Sequence, residues 1–210
     1  GVSVAPDGAS EPFETDLEMR GGRALGSSLQ HLTALRKLRL ANCDFESAAS
    51  KALGQSLRHA AGLRELSLAE NLLGAPGGKA LGVSLEHLTA LQTLDLCHCH
   101  LGLEGGGAVG TSLRHLTALR MLILSQSLLC LAGGKVLASS LQHLTALQTV
   151  NLACVELGAE GGKIFAACLR RLTALQNLDL SSNQLRAEGG EAVAAFLRHL
   201  TALQTSILSD

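Results

Sequence analysis

The stretch Cys97-His98-Cys99-His100 contains the side chains of a structural zinc site, because two thiols and two imidazoles form a common tetrahedral ligand set. Such a site requires ligands that converge on one point. Successive residues of an extended chain point instead to opposite sides. The place of these four residues in the whole chain must therefore decide whether they bind a metal or fill positions of a repeating pattern.

The chain consists of one unit that recurs every 28 residues. We take the final leucine of each HLTAL-like motif as position 1, and leucine then recurs at positions 4, 6 and 11. Two glycines follow at positions 15 and 16, and a run of small and apolar residues comes next. Repeats of roughly 20 to 50 residues are typical of solenoids. The units start at Leu35, Leu63, Leu91, Leu119, Leu147, Leu175 and Leu203.

Each unit predicts a short strand followed by a helix. The leucines at positions 4 and 6 share one strand face, because strand side chains alternate. In the second half, apolar residues such as Leu81, Leu85 and Leu88 recur at helical spacing. A single unit cannot bury both elements, so the units must stack. We expect an α/β leucine-rich solenoid, a curved horseshoe with a parallel sheet on its concave face and helices on its convex face.

The solenoid is expected to form one domain over residues 21–210, with about seven units, the last of them truncated. Residues 1–20 are expected to be an N-terminal cap or flanking segment that carries an acidic run. No polar cap follows the last unit, so we expect a piece of a longer array or a last strand that a partner covers. Self-association through terminal units is an alternative. The acidic run comprises Asp7, Glu11, Glu14, Asp16 and Glu18.

The pattern LxxLxLxx(N/C)xL in a 28-residue helical unit resembles the leucine-rich repeat, specifically its ribonuclease-inhibitor-type subclass. Similar arrays occur in ribonuclease inhibitor, in NOD-like receptors and in the Ran GTPase-activating protein. The resemblance implies a non-enzymatic module that binds a protein on its concave face. Alternatives are a regulator of a partner enzyme, such as a GTPase activator or an inhibitor, with Arg36 or Arg39 as the acting residue, and a purely structural array.

The repeat explains most of the Cys-His stretch. Cys99 occupies position 9, where other units have Asn71 or Asn183, and Cys97 occupies position 7, where other units have alanine or serine. His98 and His100 occupy the variable positions 8 and 10, expected on the exposed concave rim near Glu70. We predict no metal site, although a metal held by this histidine pair stays open as an alternative.

Six further histidines recur at position 25, where each helix is expected to end. At that place an imidazole N–H can donate a hydrogen bond to one of the last carbonyl groups of the helix. Neighbouring helices lie too far apart for these rings to share a metal. If the rings are buried and neutral, acidification should lower stability. They are His31, His59, His87, His115, His143 and His199.

Composition excludes several function classes. The net charge of −1 gives no general attraction to nucleic acid, and no apolar run is long enough to span a membrane. Six irregularly placed cysteines favour a reducing cytoplasm. The glycine run at 105–112 lacks the lysine of a phosphate loop, and no nucleophile–base arrangement is visible, so we expect no cofactor and no catalytic residue.

The most variable positions of the unit, 3, 5, 8 and 10, predict where a protein partner would bind. Leu72, Met121, Ile123 and Leu128 would form an apolar patch, with charged residues on adjacent units around it. Absence of Trp and Tyr argues against a strong hot spot. The expected partner-binding residues are Lys37, Arg39, Glu65, Glu70, Leu72, Asp95, His98, His100, Met121, Ile123 and Leu128.

Overall fold

A computed structural model describes residues 3–5, 24, 26–43, 45, 47–127 and 129–209. Two expectations from the sequence lie outside these residues. One is the acidic run of the N-terminal segment, and the other is the position of Leu128 in the apolar patch.

Eight three-residue strands form one sheet in the order in which they occur along the chain. The strand β1 pairs antiparallel with β2, and all later neighbours pair parallel, each residue lying opposite the residue 28 positions further on. The expected parallel sheet of a stacked repeat is thereby confirmed. The strands are β1 (Ser3–Ala5), β2 (Lys37–Arg39), β3 (Glu65–Ser67), β4 (Thr93–Asp95), β5 (Met121–Ile123), β6 (Thr149–Asn151), β7 (Asn177–Asp179) and β8 (Thr205–Ile207).

One helix follows each strand from β2 to β7 and packs beside the helix of the next unit. Two of them, α1 and α3, continue into single turns of 3-10 helix at Leu57–His59 and Leu113–His115. No helix among the described residues has the length and apolar character needed to cross a membrane. The helices are α1 (Ser47–Ser56), α2 (Gly74–Leu85), α3 (Gly102–Ser112), α4 (Cys130–Leu141), α5 (Gly158–Leu169) and α6 (Arg186–Leu197).

The core lies between the sheet and the helices and runs continuously through the stacked units. In the second unit, for example, Leu63, Leu66, Leu68 and Leu73 are all buried, as the pattern predicts. Burial of each leucine side chain contributes about 1.5–3 kcal/mol relative to an exposed one. Because every unit supplies the same layers, the core grows with the number of units.

The glycine pairs bring neighbouring helices into close approach. A Cβ placed on Gly78 would lie 2.7 Å from the Cα of Gly105 in the next helix. A Cβ on Gly105 would in turn lie 3.1 Å from the Cα of Ala75. Backbones at this distance leave no space for a side chain, which accounts for glycine at positions 15 and 16 of these units.

Buried asparagines fix the loop that follows a strand. The Asn71 amide nitrogen donates to the carbonyls of Leu40, Leu68 and Ala69, at 2.7, 2.8 and 3.1 Å. Its Oδ1 accepts the backbone N–H groups of Cys43 and Phe45, at 3.1 and 3.2 Å. One side chain thus satisfies five backbone groups, three of them in the preceding unit. Asn183 makes the equivalent set four units later.

Candidate binding surface

The side chains at positions 3 and 5 of the strands form the outer, concave face of the sheet, while the leucine between them is buried. Polar contacts link neighbouring strands across this face. Arg39 Nε donates to Glu65 Oε1 at 2.5 Å, and Ser67 Oγ donates to Asp95 Oδ2 at 3.1 Å. Lys37 is exposed beside them. The ion pair holds Arg39 against Glu65, so the structure adds no support for Arg39 as a residue acting on a partner enzyme.

Two strands carry large apolar side chains on the concave face, β5 with Met121 and Ile123, and the last strand β8 with Ile207, which is 43% exposed. Met121 is 37% exposed and Ile123 is half-buried, whereas the adjacent β4 and β6 present threonine, aspartate and asparagine at the same positions. Large apolar side chains on a polar surface are candidates for burial against a partner. Leu72, which is 57% exposed, lies apart from this strand, in the loop that follows β3.

The loops that follow the strands adopt a repeated left-handed conformation. Position 8 has a positive φ in six successive units, including Glu70 at 57° and His98 at 52°. Position 10 has a positive φ at His100, Glu156 and Gln184. A positive φ is unfavourable for residues that have a Cβ and is found mainly in turns. Its recurrence makes this conformation part of the unit and arranges the side chains of successive loops in a row.

A depression runs along this row of loops, and we call it the rim groove. Its first part has a volume of about 520 Å³ and contains Glu70, Leu72, His98 and His100. A second part of about 480 Å³ shares both histidines and continues to Gln126, Cys154, Glu156 and Gln184. A third part of about 330 Å³ shares Glu156 and Gln184 and reaches Leu131 and Arg186. The shared residues place the three parts next to one another, from the second unit to the sixth.

The two cysteines of the Cys-His stretch are engaged within the protein, Cys99 in the core and Cys97 half-buried. Cys99 is buried, donates to the Leu68 carbonyl at 3.1 Å, and burial raises the pKa of its thiol to about 12. Cys97 accepts a hydrogen bond from Ser125 Oγ at 3.1 Å, and burial raises its pKa. Among the described residues, no group of three or more His, Cys, Asp or Glu side chains is placed to hold a metal ion.

The helix-end histidines differ from the expectation in their contacts and burial. The Nε2 atoms of His59, His115 and His199 accept hydrogen bonds from the Nε of the preceding arginine, at 3.2, 3.2 and 3.3 Å. Among the side-chain hydrogen bonds of the described residues, none has one of these rings as a donor to a helix carbonyl, which was the contact expected. Five of the six histidines are exposed and His115 is half-buried, so the burial on which acid sensitivity depended is not present.

The basic residues of the helices take part in ion pairs with the next helix. Lys79 Nζ lies 2.6 Å from Glu104 Oε2, and Lys163 Nζ lies 2.6 Å from Glu188 Oε2 and 2.9 Å from Glu160 Oε1. The two lysines are therefore neutralised on a mixed surface. This arrangement does not resemble the uninterrupted basic track that a nucleic-acid backbone requires.

The sequence predicts exposed histidines and a glutamate at this rim, but it does not predict the rim groove. Nor does it indicate that Cys154 lines the same part of the groove as His98 and His100. The sequence contains one indication of this loop conformation. Glycine or polar residues fill positions 8 and 12 in most units, and these residue types tolerate a positive φ.

Two stretches of the chain, residues 87–110 and 172–194, match the family model described as Leucine Rich repeat. Each stretch contains one strand, the glycine pair of that unit and most of the helix that follows the strand. Comparison with curated proteins gives no match. The parallel sheet, the buried leucines and the constant register show the fold of an α/β leucine-rich repeat solenoid, and the two matched stretches are similar to that family's repeat.

Proposed function

We propose that this chain is a non-enzymatic protein-binding module that recognises its partner through the concave face. Leucine-rich repeats generally mediate protein–protein interaction, which supports the binding part of this proposal. The observation that carries the concave face is the apolar pair of β5, of which Met121 is exposed and Ile123 is half-buried. The strands β4 and β6 on either side are polar at the same positions, and neither Met121 nor Ile123 belongs to the core cluster.

Charged side chains border the apolar pair and favour a specific orientation of the partner. Asp95 lies one strand before Ile123, and Asp179 lies two strands after it. Apolar centres surrounded by polar residues are typical of protein interfaces. Lys37, Arg39 and Glu65 extend the polar part of this surface at its N-terminal end.

The test is a cross-linked pull-down from source-cell lysate with the native protein and a Met121→Glu, Ile123→Lys double variant. The matched control is a Val83→Glu, Thr111→Lys variant, because both residues are exposed on the outer side of helices. Circular dichroism must first show all three proteins to be equally folded. We expect the native and control proteins to capture the same partner and the β5 variant to lose it. Capture that is equal for all three proteins would reject the concave face.

The repeat subclass and the cellular location are two further parts of the proposal. We infer the ribonuclease-inhibitor-type subclass from the 28-residue unit with a helix in each repeat. We also infer a cytoplasmic location. Its support is that Cys97, Cys99, Cys154 and Cys168 are free thiols, as a reducing compartment favours.

A further inference from the structure

The loops that lead from a helix to the next strand carry a concentration of arginine. Four of these loops follow one another, at residues 114–120, 142–148, 170–176 and 198–204. They contain five arginines and no lysine, aspartate or glutamate, although the whole chain has a net charge of −1. We call this surface the arginine edge, and its arginines are Arg114, Arg120, Arg170, Arg171 and Arg198.

The arginine edge lies on the side of the solenoid where the helices end and the strands begin, opposite the loops of the rim groove. Backbone hydrogen bonds join its loops in register. The N–H of Gln148 donates to the carbonyl of Arg120, that of Gln176 to Gln148, and that of Gln204 to Gln176, each at 2.8 Å. The arginines of different units therefore lie along one continuous edge.

The guanidinium groups of this edge are available to an anion. All five arginines are exposed. Two of them, Arg114 and Arg198, donate through Nε to the histidine that follows, and no described hydrogen bond or ion pair involves their Nη atoms. The side chains of the other three take part in no hydrogen bond or ion pair within the part of the chain that the structure describes.

Compensation of the helix dipole does not account for this concentration of charge. A cation near the C-terminus stabilises a helix, and Arg170 and Arg198 are the C-caps of α5 and α6. The helix α4, however, ends at the equivalent place with the uncharged Gln142. Arg120 lies outside any helix, directly before β5. The edge therefore keeps an unneutralised positive field, which attracts anionic groups.

We propose that the arginine edge binds an acidic, extended segment of a protein partner, on a surface separate from the proposed concave-face contact. Guanidinium groups form bidentate hydrogen bonds with carboxylates. The uncharged loop 142–148 separates Arg114 and Arg120 from the other three arginines. Two steps between neighbouring helices span about 16–20 Å, which five or six residues of extended chain cover at about 3.3 Å each. The segment should accordingly carry two acidic groups that are separated by about five residues.

A nucleic acid or an anionic membrane fits this edge less well than a protein segment. A nucleic-acid backbone presents negative charge at short, regular intervals. The arginine edge has an uncharged loop in its middle, and in the loop that precedes it, at residues 86–92, Glu86 takes the place of an arginine. Its four loops also expose no large apolar side chain of the kind that inserts into a lipid surface.

The test measures binding of a labelled peptide to the intact chain by fluorescence anisotropy, at about 0.15 M salt. The peptide has a pair of glutamates on each side of a glycine–serine stretch of about five residues, and a second peptide has glutamines instead of the glutamates. The chain variants are Arg114→Gln, Arg120→Gln and Arg170→Gln, Arg171→Gln, each as a double variant. Circular dichroism must first show all proteins to be equally folded.

The matched control is a Lys51→Gln, Lys135→Gln double variant. It removes the same charge from exposed positions of α1 and α4, away from the arginine edge. A general effect of net charge would weaken binding equally in the control and in the arginine variants. An effect of the arginine edge would appear in the arginine variants alone.

We expect the glutamate peptide to bind and the glutamine peptide not to bind. Each arginine double variant should weaken binding about three- to thirty-fold, and the control should stay within about two-fold. Undetectable binding of the glutamate peptide, or equal weakening by the control, would overturn the proposal. Unlabelled oligothymidylate and phosphatidylserine vesicles are added as competitors. If either displaced the labelled peptide at a lower concentration of charge than the unlabelled peptide, the acidic protein segment would be rejected in favour of a phosphate-bearing ligand.

Discussion

Individual glycines in this chain act in two different ways that the sequence does not separate. Gly78 and Gly107 both lie within helices, in neighbouring glycine-rich segments. A Cβ on Gly78 would meet the Cα of Gly105 at 2.7 Å, whereas a Cβ on Gly107 would meet no atom within 4 Å. The first glycine is required by packing, and the second only adds backbone freedom to the unfolded chain.

Substitution of these two glycines by alanine should therefore have opposite effects. We expect Gly78→Ala to lower the free energy of unfolding by about 1–3 kcal/mol through overpacking. Gly107→Ala should raise it by about 0.5–1 kcal/mol through the better helix propensity of alanine. Urea denaturation followed by circular dichroism measures both values. A loss of stability in both variants would contradict the difference in free space around the two glycines.

The buried side chain of Asn71 should be the most sensitive polar position of the second unit. Asn71→Ala removes the partners of five buried backbone groups, and we expect a loss of about 2–4 kcal/mol in the free energy of unfolding. Asn71→Cys should lose less, because Cys99 at the same position donates to a strand carbonyl at 3.1 Å. Equal losses in the two variants would show that the thiol replaces none of these hydrogen bonds, and an unchanged stability of Asn71→Ala would show that the bonds do not stabilise the fold.

At the scale of the helices, ion pairs connect the outer surfaces of neighbouring units. Lys163 bridges α5 to α6 through Glu188 and also contacts Glu160 in its own helix. Its hydrogen bond lowers the pKa of the Glu188 carboxyl and correspondingly raises the pKa of Lys163. All three groups are exposed, so solvent screens most of the attraction and the bridge contributes little stability.

Lys163→Met should accordingly lower the melting temperature at pH 7 by about one degree. A lowered carboxyl pKa gives stability that is present at neutral pH and is lost as the pH falls through that pKa. The difference between the native and variant proteins should therefore disappear in the acidic range, below about pH 3. Thermal melts at pH 7 and pH 2.5 check this result. A difference that persists at pH 2.5 would assign the effect to packing of the lysine stem instead.

The strands and helices were predictable because they depend on a pattern that recurs in every unit. Leu66 and Leu68 define a strand face by alternation alone, and the structure buries both. The rim groove was not predictable in the same way. Its shape depends on backbone angles at Glu70 and His100, which alternation does not specify, and on how loops of separate units line up. Contacts such as Arg58 with His59 also depend on rotamers that no repeat pattern determines.

At the scale of the whole molecule, the cysteines differ in how accessible their thiols are to solvent. Cys154 and Cys97 are half-buried near the surface, whereas Cys99 and Cys168 lie in the core. Burial raises the pKa of both core thiols to about 12. Relative to an ordinary thiol, this lowers the reactive thiolate fraction by about a thousand-fold.

Alkylation of the native protein with iodoacetamide should follow this difference in accessibility. Cys154 should react first and Cys97 more slowly, because burial raises the pKa of Cys97. Cys99 and Cys168 should stay unmodified until the protein is unfolded in urea. Peptide mass spectrometry over a time course measures the four rates. If Cys99 reacted as fast as Cys154 under native conditions, the packing of the third unit would differ from the structure.

The constant register of the sheet has a consequence for how this molecule can change over evolution. From β2 to β8, every strand pairs with the next at the same offset of 28 residues, so successive units meet in the same way. Recombination that duplicates or removes one whole unit would leave the pairing of all the others undisturbed. The length of the rim groove can therefore change by whole units while the register of the sheet is kept, and the core lengthens or shortens with it.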